Sequence, residues 1–418
     1  MNRIIFTVSF LIFSNFILLS QASEQNSGVT VQLNSASAFD NQNAWICGDS
    51  GKVIRTTNGG NNWLSANSNI IPANVTLNHI FSFTPSWVLV AGTAGSTAYL
   101  YLTTNSGTNW QQVFSQPGGN INVVYIKNDS TGLMVGNPVG GRWSIWRTTN
   151  RGLNWDSTGR MLARAGSELG FSNCLAYGLN RVWFGTDNSR IYYSTNNGLN
   201  WSFQVTSPET EAASVWFDPN GSSTGYFSGN NVYRSSNFGD NWVSIGSLGT
   251  GLIGSLSGFP MWTGNVMYIR NGSGILYFGY GTGQWYNYYT APSGTYRNVT
   301  TVRITGFPII GYAVRNNGGI SKFYIAVEGL NYLSGEIPEE FTLSQNYPNP
   351  FNPVTNFGFR IADFGLVRFT VFDAIGREIE VLVNQQLQPG TYEVNWNASA
   401  YPSGVYYYRL EAGSYIET

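Results

Sequence analysis

The chain contains a single histidine, His79, and this limits the chemistry that its side chains can perform. Zinc sites built from several histidines are excluded, and a Ser-His-Asp triad would depend on this one residue. His79 begins the apolar run HIFSF, so we expect it to pack or to face solvent at the start of a strand. No glycine motif for phosphate or dinucleotide binding stands between a strand and a helix. The sequence therefore predicts neither a metal site nor a cofactor.

Carboxylates are the remaining candidates for acid–base chemistry, which glycoside hydrolysis performs with a pair of them. Asp49 and Asp187 each follow an apolar run that ends near glycine, so they are the catalytic candidates if the chain is an enzyme. Side chains suited to holding a sugar or peptide occur in the same or neighbouring loops, namely Arg142, Trp143, Arg164 and Arg190. The alternative is that all of these are ordinary solvated loop charges.

One polar phrase occurs five times, with a tryptophan at its end every 41–47 residues, as in RTTNGGNNW at 55–63 and RTTNRGLNW at 147–155. In each copy an Asn can start a turn and a Gly two positions later can supply positive φ. The aromatic ring then buries area beside the turn. These structural positions are Asn58, Gly60 and Trp63; Asn105, Gly107 and Trp110; Asn150, Gly152 and Trp155; Asn196, Gly198 and Trp201; Asn237, Gly239 and Trp242.

Three apolar runs precede each phrase, and a fourth run follows it, as in a four-stranded propeller blade. Weaker copies end at Trp285 and Tyr332, which gives an estimate of seven blades, with six or eight as alternatives. The run VTVQL at 29–33 is expected to lend a strand to the last blade, because an open ring leaves an unpaired edge.

The phrase resembles the Asp-box (BNR) repeat, with Asn in place of the usual Asp. The stretch GDSGKVIRTTNGGNNW at 48–63 resembles the photosystem II stability/assembly factor type of propeller, and the resemblance covers about 30–330. It implies an all-β propeller in which the box is a structural corner, and it leaves the function open because enzymes and noncatalytic modules share this fold. A sialidase-like site is disfavoured, since no Arg-Ile-Pro motif occurs before the first box and Arg55 is the first arginine after the leader. Glucanases of this type use two propellers.

The N-terminus MNRIIFTVSFLIFSNFILLSQAS has one Arg, an apolar run and small residues, which is typical of a secretory signal peptide over 1–22. An uncleaved membrane anchor is the alternative, and after cleavage no stable membrane span is expected. The net charge of −1 argues against nucleic acid as a partner. Cys47 and Cys174 are expected to be separate buried thiols.

After the linker at 334–340, period-two alternation predicts a small Ig-like sandwich over 341–418. The phrases LSQNYPNPFNP, VFDAIGREIEVLVN, PGTYEVNWNAS and SGVYYYRLEAG resemble the C-terminal sorting domain of the type IX secretion system. That family usually ends in one more strand with a basic pair, so we expect a domain that lacks its last strand. The alternatives are a different export route or a purely structural stalk.

The combined expectation is a signal peptide at 1–22, an Asp-box propeller at 24–333 and a sorting domain at 341–418. Such a chain is expected to be secreted or attached to the outer-membrane surface, with the type IX machinery as one partner. Its propeller is expected to bind a polysaccharide or a cell-surface protein without catalysis. The alternative is a secreted glycoside hydrolase, sialidase-like or glucanase-like, that uses carboxylates of the propeller.

Overall fold

The structure, a computed structural model, describes residues 22–67, 70–178, 180–218, 223–258, 266–269, 272–279, 283–302, 309–325, 330–334 and 336–418. Almost all of the predicted signal peptide lies outside these residues. Within them the chain forms seven small sheets arranged as propeller blades and two further sheets in a C-terminal sandwich. The predicted all-β architecture, with a propeller followed by a sandwich, is confirmed. No helix of the described part is long and apolar enough to cross a membrane.

Each blade is antiparallel, with neighbouring strands joined by short turns. The first three blades and the strand that precedes them comprise β1 (Ala22–Gln25); β2 (Leu33–Ala38), β3 (Ala44–Gly48), β4 (Val53–Thr56) and β5 (Leu64–Ser65) in blade 1; β6 (Thr76–Ser82), β7 (Val88–Ala94), β8 (Thr97–Thr103) and β9 (Gln111–Pro117) in blade 2; β10 (Ile121–Ile126), β11 (Gly132–Val139) and β12 (Arg142–Thr148) in blade 3. The other four comprise β13 (Gly170–Gly178), β14 (Arg181–Thr186), β15 (Arg190–Ser194) and β16 (Ser202–Val205) in blade 4; β17 (Ser214–Phe217), β18 (Gly225–Ser228), β19 (Val232–Ser235) and β20 (Val243–Gly246) in blade 5; β21 (Ser255–Gly258), β22 (Val266–Ile269), β23 (Gly274–Gly279) and β24 (Gln284–Thr290) in blade 6; β25 (Tyr296–Thr301), β26 (Ile309–Arg315) and β27 (Ile320–Ile325) in blade 7.

The ring is closed by β1, which pairs antiparallel with β27 as the outer strand of blade 7. The sequence predicted such a closure but assigned it to VTVQL at 29–33, which is wrong. Leu33 instead begins the inner strand of blade 1, and Ala22 lies opposite Phe323. Glu24 explains the choice, because it forms an ion pair with Arg315 and accepts a hydrogen bond from Ser321 at 2.6 Å.

The sandwich consists of two four-stranded antiparallel sheets, ordered β28-β33-β30-β29 and β32-β31-β34-β35. Its strands are β28 (Leu330–Ser334), β29 (Thr342–Leu343), β30 (Val354–Ile361), β31 (Gly365–Asp373), β32 (Glu378–Leu387), β33 (Gly390–Asn397), β34 (Tyr406–Ala412) and β35 (Tyr415–Glu417), with a short 3-10 helix at Ala398–Ala400. The predicted boundaries need one correction, because β28 was expected to end the propeller at 333 and instead pairs with β33. The tail at 415–417 forms a strand against β34, where the sequence predicted that the last strand was lacking.

Each repeated phrase forms a compact corner between the third and fourth positions of a blade. In the box ending at Trp155, the Thr148 hydroxyl donates to Asn150 Oδ1 at 2.9 Å and accepts the Gly152 N–H at 2.8 Å. Asn150 Oδ1 also accepts the Asn154 N–H at 2.9 Å. The asparagine starts the turn, as predicted, and caps an N–H four residues on, while the hydroxyl two positions before it caps the glycine N–H. In all five boxes the glycine has positive φ and so does the residue before it.

The tryptophan of a box packs at the border with the preceding blade, and Trp201 and Trp242 also contact aromatic rings of their own blades, at 5.1 Å from Phe184 and 4.9 Å from Phe227. The Trp110 indole N–H donates to the Ala66 carbonyl at 2.8 Å, and its ring meets Trp45 of blade 1 at 6.2 Å. Trp63 of blade 1 meets Tyr312 of blade 7 at 5.5 Å in the same way. Buried side chains accordingly cluster between adjacent blades, so each blade is stabilised by its neighbours.

The two cysteines lie in different inter-blade clusters and are buried free thiols, as predicted. Burial raises the pKa of Cys174 to about 12, so its thiol stays protonated and unreactive at neutral pH.

Candidate functional site

The first strands of the seven blades (β2, β6, β10, β13, β17, β21 and β25) surround a central channel that contains a cavity of about 190 Å³. The described first strands end on the same side of the propeller as the Asp-box corners, so one end of the channel lies on the box face and the other on the opposite face. None of the described residues that line the cavity is Asp, Glu, Lys or Arg. Among these described lining residues, the His79 imidazole is the group that titrates nearest to neutral pH.

The penultimate residue of each first strand contributes to one level of the channel near the box face, which we call the lower ring. Its seven members are Ser37, Phe81, Tyr125, Tyr177, Trp216, Ser257 and Thr300. Blades 2–5 supply four consecutive aromatic side chains, and blades 6, 7 and 1 supply three hydroxyls. The ring is thus divided into an aromatic arc and a hydroxyl arc.

The aromatic arc is held in position by ring contacts between blades. The centroids of Phe81 and Tyr125 lie 4.9 Å apart, and Tyr125 stacks on Tyr177 at 5.0 Å with an interplanar angle of 11°. Such pairs stabilise beyond their buried area and fix ring orientation. Burial raises the pKa of Tyr177, so its hydroxyl stays neutral.

Lys127 lies at the edge of the lower ring, on the turn that follows β10. Its Nζ is 5.0 Å from the centroid of the Tyr177 ring and donates to Asn180 Oδ1 at 2.7 Å and to Asn197 Oδ1 at 3.3 Å. Desolvation by partial burial lowers the pKa of Lys127. None of the ion pairs among the described residues includes it, so its charge is met by amide oxygens and a ring face.

Two further cations on the same face lie over aromatic rings of adjacent blades. Arg151, the residue before the box glycine of blade 3, lies 5.2 Å from the Trp87 ring and forms an ion pair with Asp129 at 2.8 Å. Arg181 lies 4.8 Å from the Phe238 ring. The box face thus carries cations on aromatic surfaces, and Lys127 is the one of these three that contacts a member of the lower ring.

Two residues earlier along the first strands, His79 forms a polar network in the channel. Its Nε2 lies 2.9 Å from the Val124 carbonyl oxygen and its Nδ1 lies 2.7 Å from Asn173 Oδ1, and the neutral ring can donate to only one of these two acceptors. The Ser35 hydroxyl donates to the same amide oxygen at 2.7 Å. Asn173 has φ of 63° in an irregular part of β13, and this turns its amide toward the histidine. Burial lowers the pKa of His79, so the imidazole is neutral at pH 7.

The His79 network predicts that stability falls on acidification. The unfolded histidine has a pKa of about 6.5 and the folded one is lower, so below this pH the unfolded chain binds the extra proton. The free energy of unfolding should drop between pH 7 and 5 by at most about 1.4 kcal/mol per pH unit. Urea unfolding at pH 7, 6 and 5 measures this slope. His79→Gln should flatten it, because the chain has no other histidine; an unchanged slope in that variant would contradict the assignment.

Side chains of one blade accept backbone N–H groups of the next around the channel. The Ile80 N–H donates to Ser35 Oγ at 3.3 Å, and the Leu256 N–H donates to Ser214 Oγ at 3.2 Å. Asn298 Oδ1 closes the set by accepting the Ala36 N–H at 3.0 Å. The inner strand edges of these blades are therefore capped, and fewer N–H groups remain to pair with an added strand.

Trp143, predicted to bind a ligand, is buried, and this prediction is wrong. The side chain is 3% exposed and packs between blades 3 and 4 on Phe184 at 4.8 Å and Tyr192 at 5.9 Å. Sequence alone could not distinguish an exposed indole from one that fills an inter-blade gap.

The three arginines that were predicted to bind a ligand lie on the face opposite the boxes, where each contacts a neighbouring loop residue. Arg142 donates to the Met161 sulfur at 3.0 Å, and Arg164 donates to the Glu168 carbonyl at 2.8 Å. Arg190 lies 3.6 Å from the Glu168 carboxylate. Arg164 and Arg190 thus approach each other around Glu168, and Arg142 belongs to a different loop contact.

The two catalytic candidates are on blades 1 and 4, separated around the ring by blades 2 and 3. Asp49 accepts the Asn34 side-chain N–H at 2.8 Å, and Asp187 accepts the Leu169 backbone N–H at 2.7 Å. Each of these hydrogen bonds fixes the loop that carries its own carboxylate.

Two buried glutamates, which the sequence analysis did not select, stabilise hairpins of blades 4 and 5. Glu168 accepts the Thr186 hydroxyl at 2.7 Å and the Tyr192 hydroxyl at 2.9 Å. Glu209 accepts the Asn230 N–H at 2.8 Å and the Tyr233 hydroxyl at 3.3 Å. The recurrence of a Glu–Tyr contact in consecutive blades indicates a structural role.

The lower ring and Lys127 were missed by sequence reasoning, although a signal was present. The signal is an aromatic residue near the end of several first strands, namely Phe81, Tyr125 and Trp216, each of which stands one position before its strand ends.

Comparisons with known proteins agree with this architecture. A family model described as Photosynthesis system II assembly factor YCF48 matches residues 20–244, and one described as Secretion system C-terminal sorting domain matches residues 345–418. No curated protein sequence matches the chain.

Solved structures with the same fold include YCF48 bound to D1 peptide, at 16% identity and a TM-score of 0.56, covering 73% of this chain and 96% of that one. YCF48 from Cyanidioschyzon merolae has 14% identity and a TM-score of 0.57, with coverage of 72% and 98%. The WD40 β-propeller domain of Doa1 has 11% identity and a TM-score of 0.52, with coverage of 73% and 98%. At these identities the likeness shows the propeller fold alone.

Proposed function

The chain belongs to the Photosynthesis system II assembly factor YCF48 family, and we propose that its propeller is the noncatalytic binding module of an exported protein. The C-terminal sorting domain indicates a protein that is secreted or attached to the outer-membrane surface, and it implies the type IX machinery as a partner. A photosystem subunit is a poor ligand for a chain with this destination. The proposed ligand is therefore a polysaccharide or a protein at the cell surface.

The observation that carries the proposal is the composition of the channel. Its described lining combines an aromatic arc with hydroxyl, amide and imidazole groups, and no carboxylate is among them. Such a surface holds a ligand by stacking and hydrogen bonds. Glycoside hydrolysis needs two carboxylates about 5–10 Å apart, whereas the buried Glu168 and Glu209 are engaged in hairpin contacts.

YCF48 bound to D1 peptide has the same fold, and its bound peptide supports ligand binding as a role that this type of propeller performs. That peptide is a ligand of the relative, and we carry over only the capacity to bind.

Incubation of the purified chain with a panel of polysaccharides tests the proposal by measuring retention and release of new reducing ends together. We expect retention without release. Release that disappears in Asp49→Asn and in Asp187→Asn would overturn the proposal and identify a hydrolase. Retention of a surface protein instead of any polysaccharide would keep the binding function and decide between the two proposed ligand classes.

A further inference from the structure

We propose that the lower ring together with Lys127 binds one uronic acid residue of an acidic polysaccharide at the box-face mouth of the channel. The inference rests on the noncatalytic binding function proposed above and names its site and ligand chemistry. It places the site on the face opposite the one that the charged loops had indicated.

The division of the lower ring suits a pyranose. A sugar ring has an apolar C–H face and a polar edge, and aromatic side chains bind such faces by stacking. Phe81, Tyr125 and Tyr177 form consecutive contacts at 4.9 and 5.0 Å on one side. Ser257 and Thr300 line the other side and can meet hydroxyl groups.

The size of the cavity limits the occupant to one ring. Its volume of about 190 Å³ is below the range of about 300–1,000 Å³ that is typical of sites for drug-sized ligands. A single sugar residue therefore enters the channel while the rest of a chain extends over the box face.

Lys127 supplies the preference for an acidic sugar. An ammonium group has three donors, and Lys127 uses two of them on Asn180 and Asn197. The third N–H of the ammonium group and its positive charge are available to the carboxylate of a ligand. This carboxylate would lie near the Tyr177 ring, whose centroid is 5.0 Å from Lys127 Nζ. Charge-assisted hydrogen bonds of this kind are the strong ones.

An extended peptide fits this channel less well. Peptides commonly bind by adding a strand to an exposed sheet edge. Several inner-edge N–H groups here, including those of Ala36, Ile80 and Leu256, already donate to side chains of neighbouring blades. A sugar that is recognised by its ring face and its carboxylate does not need these N–H groups.

Calorimetric titration of the purified full chain with trisaccharides of galacturonate, glucuronate and mannuronate tests the inference, and the methyl ester of each is the neutral control. We expect at least one acid form to bind and its ester to bind at least about tenfold more weakly. Lys127→Met should lower the affinity for that acid to the level of its ester. Lys52→Met, the same change on the opposite face, should leave it unaltered, and thermal unfolding checks that both variants fold.

The inference is overturned if all three acids fail to bind, if acid and ester bind equally, or if Lys127→Met binds like the parent chain. Displacement of the sugar by an acidic peptide of equal affinity would also overturn it, in favour of a peptide carboxylate site. If no trisaccharide binds while another polysaccharide or a surface protein is retained, only this inference fails. Release of reducing ends from a trisaccharide would contradict the noncatalytic function itself.

Discussion

Gly136→Ala is expected to lower the free energy of unfolding by about 3 kcal/mol, the upper end of ordinary overpacking. A Cβ at Gly136 would lie 2.3 Å from the Asn120 carbonyl oxygen, which is a backbone atom that cannot move aside by rotation. Gly48 of β3 and Gly92 of β7 occupy the corresponding positions of blades 1 and 2, where an added Cβ would lie 2.1 and 2.5 Å from the equivalent carbonyl oxygens. Urea unfolding followed by tryptophan fluorescence measures the change.

Gly95→Ala is the matched control, because this glycine has positive φ but no neighbouring atom within 4 Å of an added Cβ. Only the conformational cost applies there, on the order of 1–2 kcal/mol. If Gly136→Ala costs no more than the control, the close carbonyl is not the reason for glycine at this position of the second strands.

Glu24→Ala is expected to cost about 3 kcal/mol, because it leaves a buried arginine without its partner. The Arg315 side chain is 3% exposed, and its guanidinium contacts Glu24 from the opposite end of the chain. Glu24 also accepts hydrogen bonds from Tyr289 at 3.0 Å and from Ser321. The loss should appear as a lower thermal midpoint and as easier proteolysis near the ring closure.

The double variant Glu24→Met with Arg315→Met separates the ion pair from simple packing. It should recover most of the lost stability, since no buried charge remains unpaired. Asp129→Ala breaks the exposed pair with Arg151 and should cost at most about 1 kcal/mol. A double variant as unstable as Glu24→Ala would show that β1 is held by other contacts.

The local structure of this chain could be predicted from its sequence because the signals are short-range. The repeated box fixes the hairpin corners through its hydroxyl, amide and glycine, and the apolar runs around it fix the strands. The period gave an estimate of seven blades, with six or eight as alternatives, although Tyr332, at the end of the seventh copy, lies in β28 of the sandwich. The alternation in LVRFTVF and TYEVNW likewise predicted strands that the structure has as β31 and β33.

The errors in the predicted fold concern which strands pair with each other when they are distant in sequence. A run of alternating residues indicates a strand but not the edge with which it pairs. Two segments near the N-terminus could have closed the ring, VTVQL at 29–33 and Ala22–Gln25. The structure uses Ala22–Gln25, whose Glu24 forms an ion pair with Arg315. The strand Leu330–Ser334 could extend the propeller or join the sandwich, and its pairing with β33 decided that boundary.

The candidate site shows the same difference between short-range signals in the sequence and contacts between distant residues. The sequence by itself determined the fold class, the repeat and the sorting domain, because each is written in contiguous residues. Only the tertiary structure decided that Trp143 is buried and that Phe81, Tyr125 and Tyr177 meet in one channel beside Lys127. A channel lined by seven separate strands has no contiguous signature, since each blade contributes one side chain about 45 residues from the next.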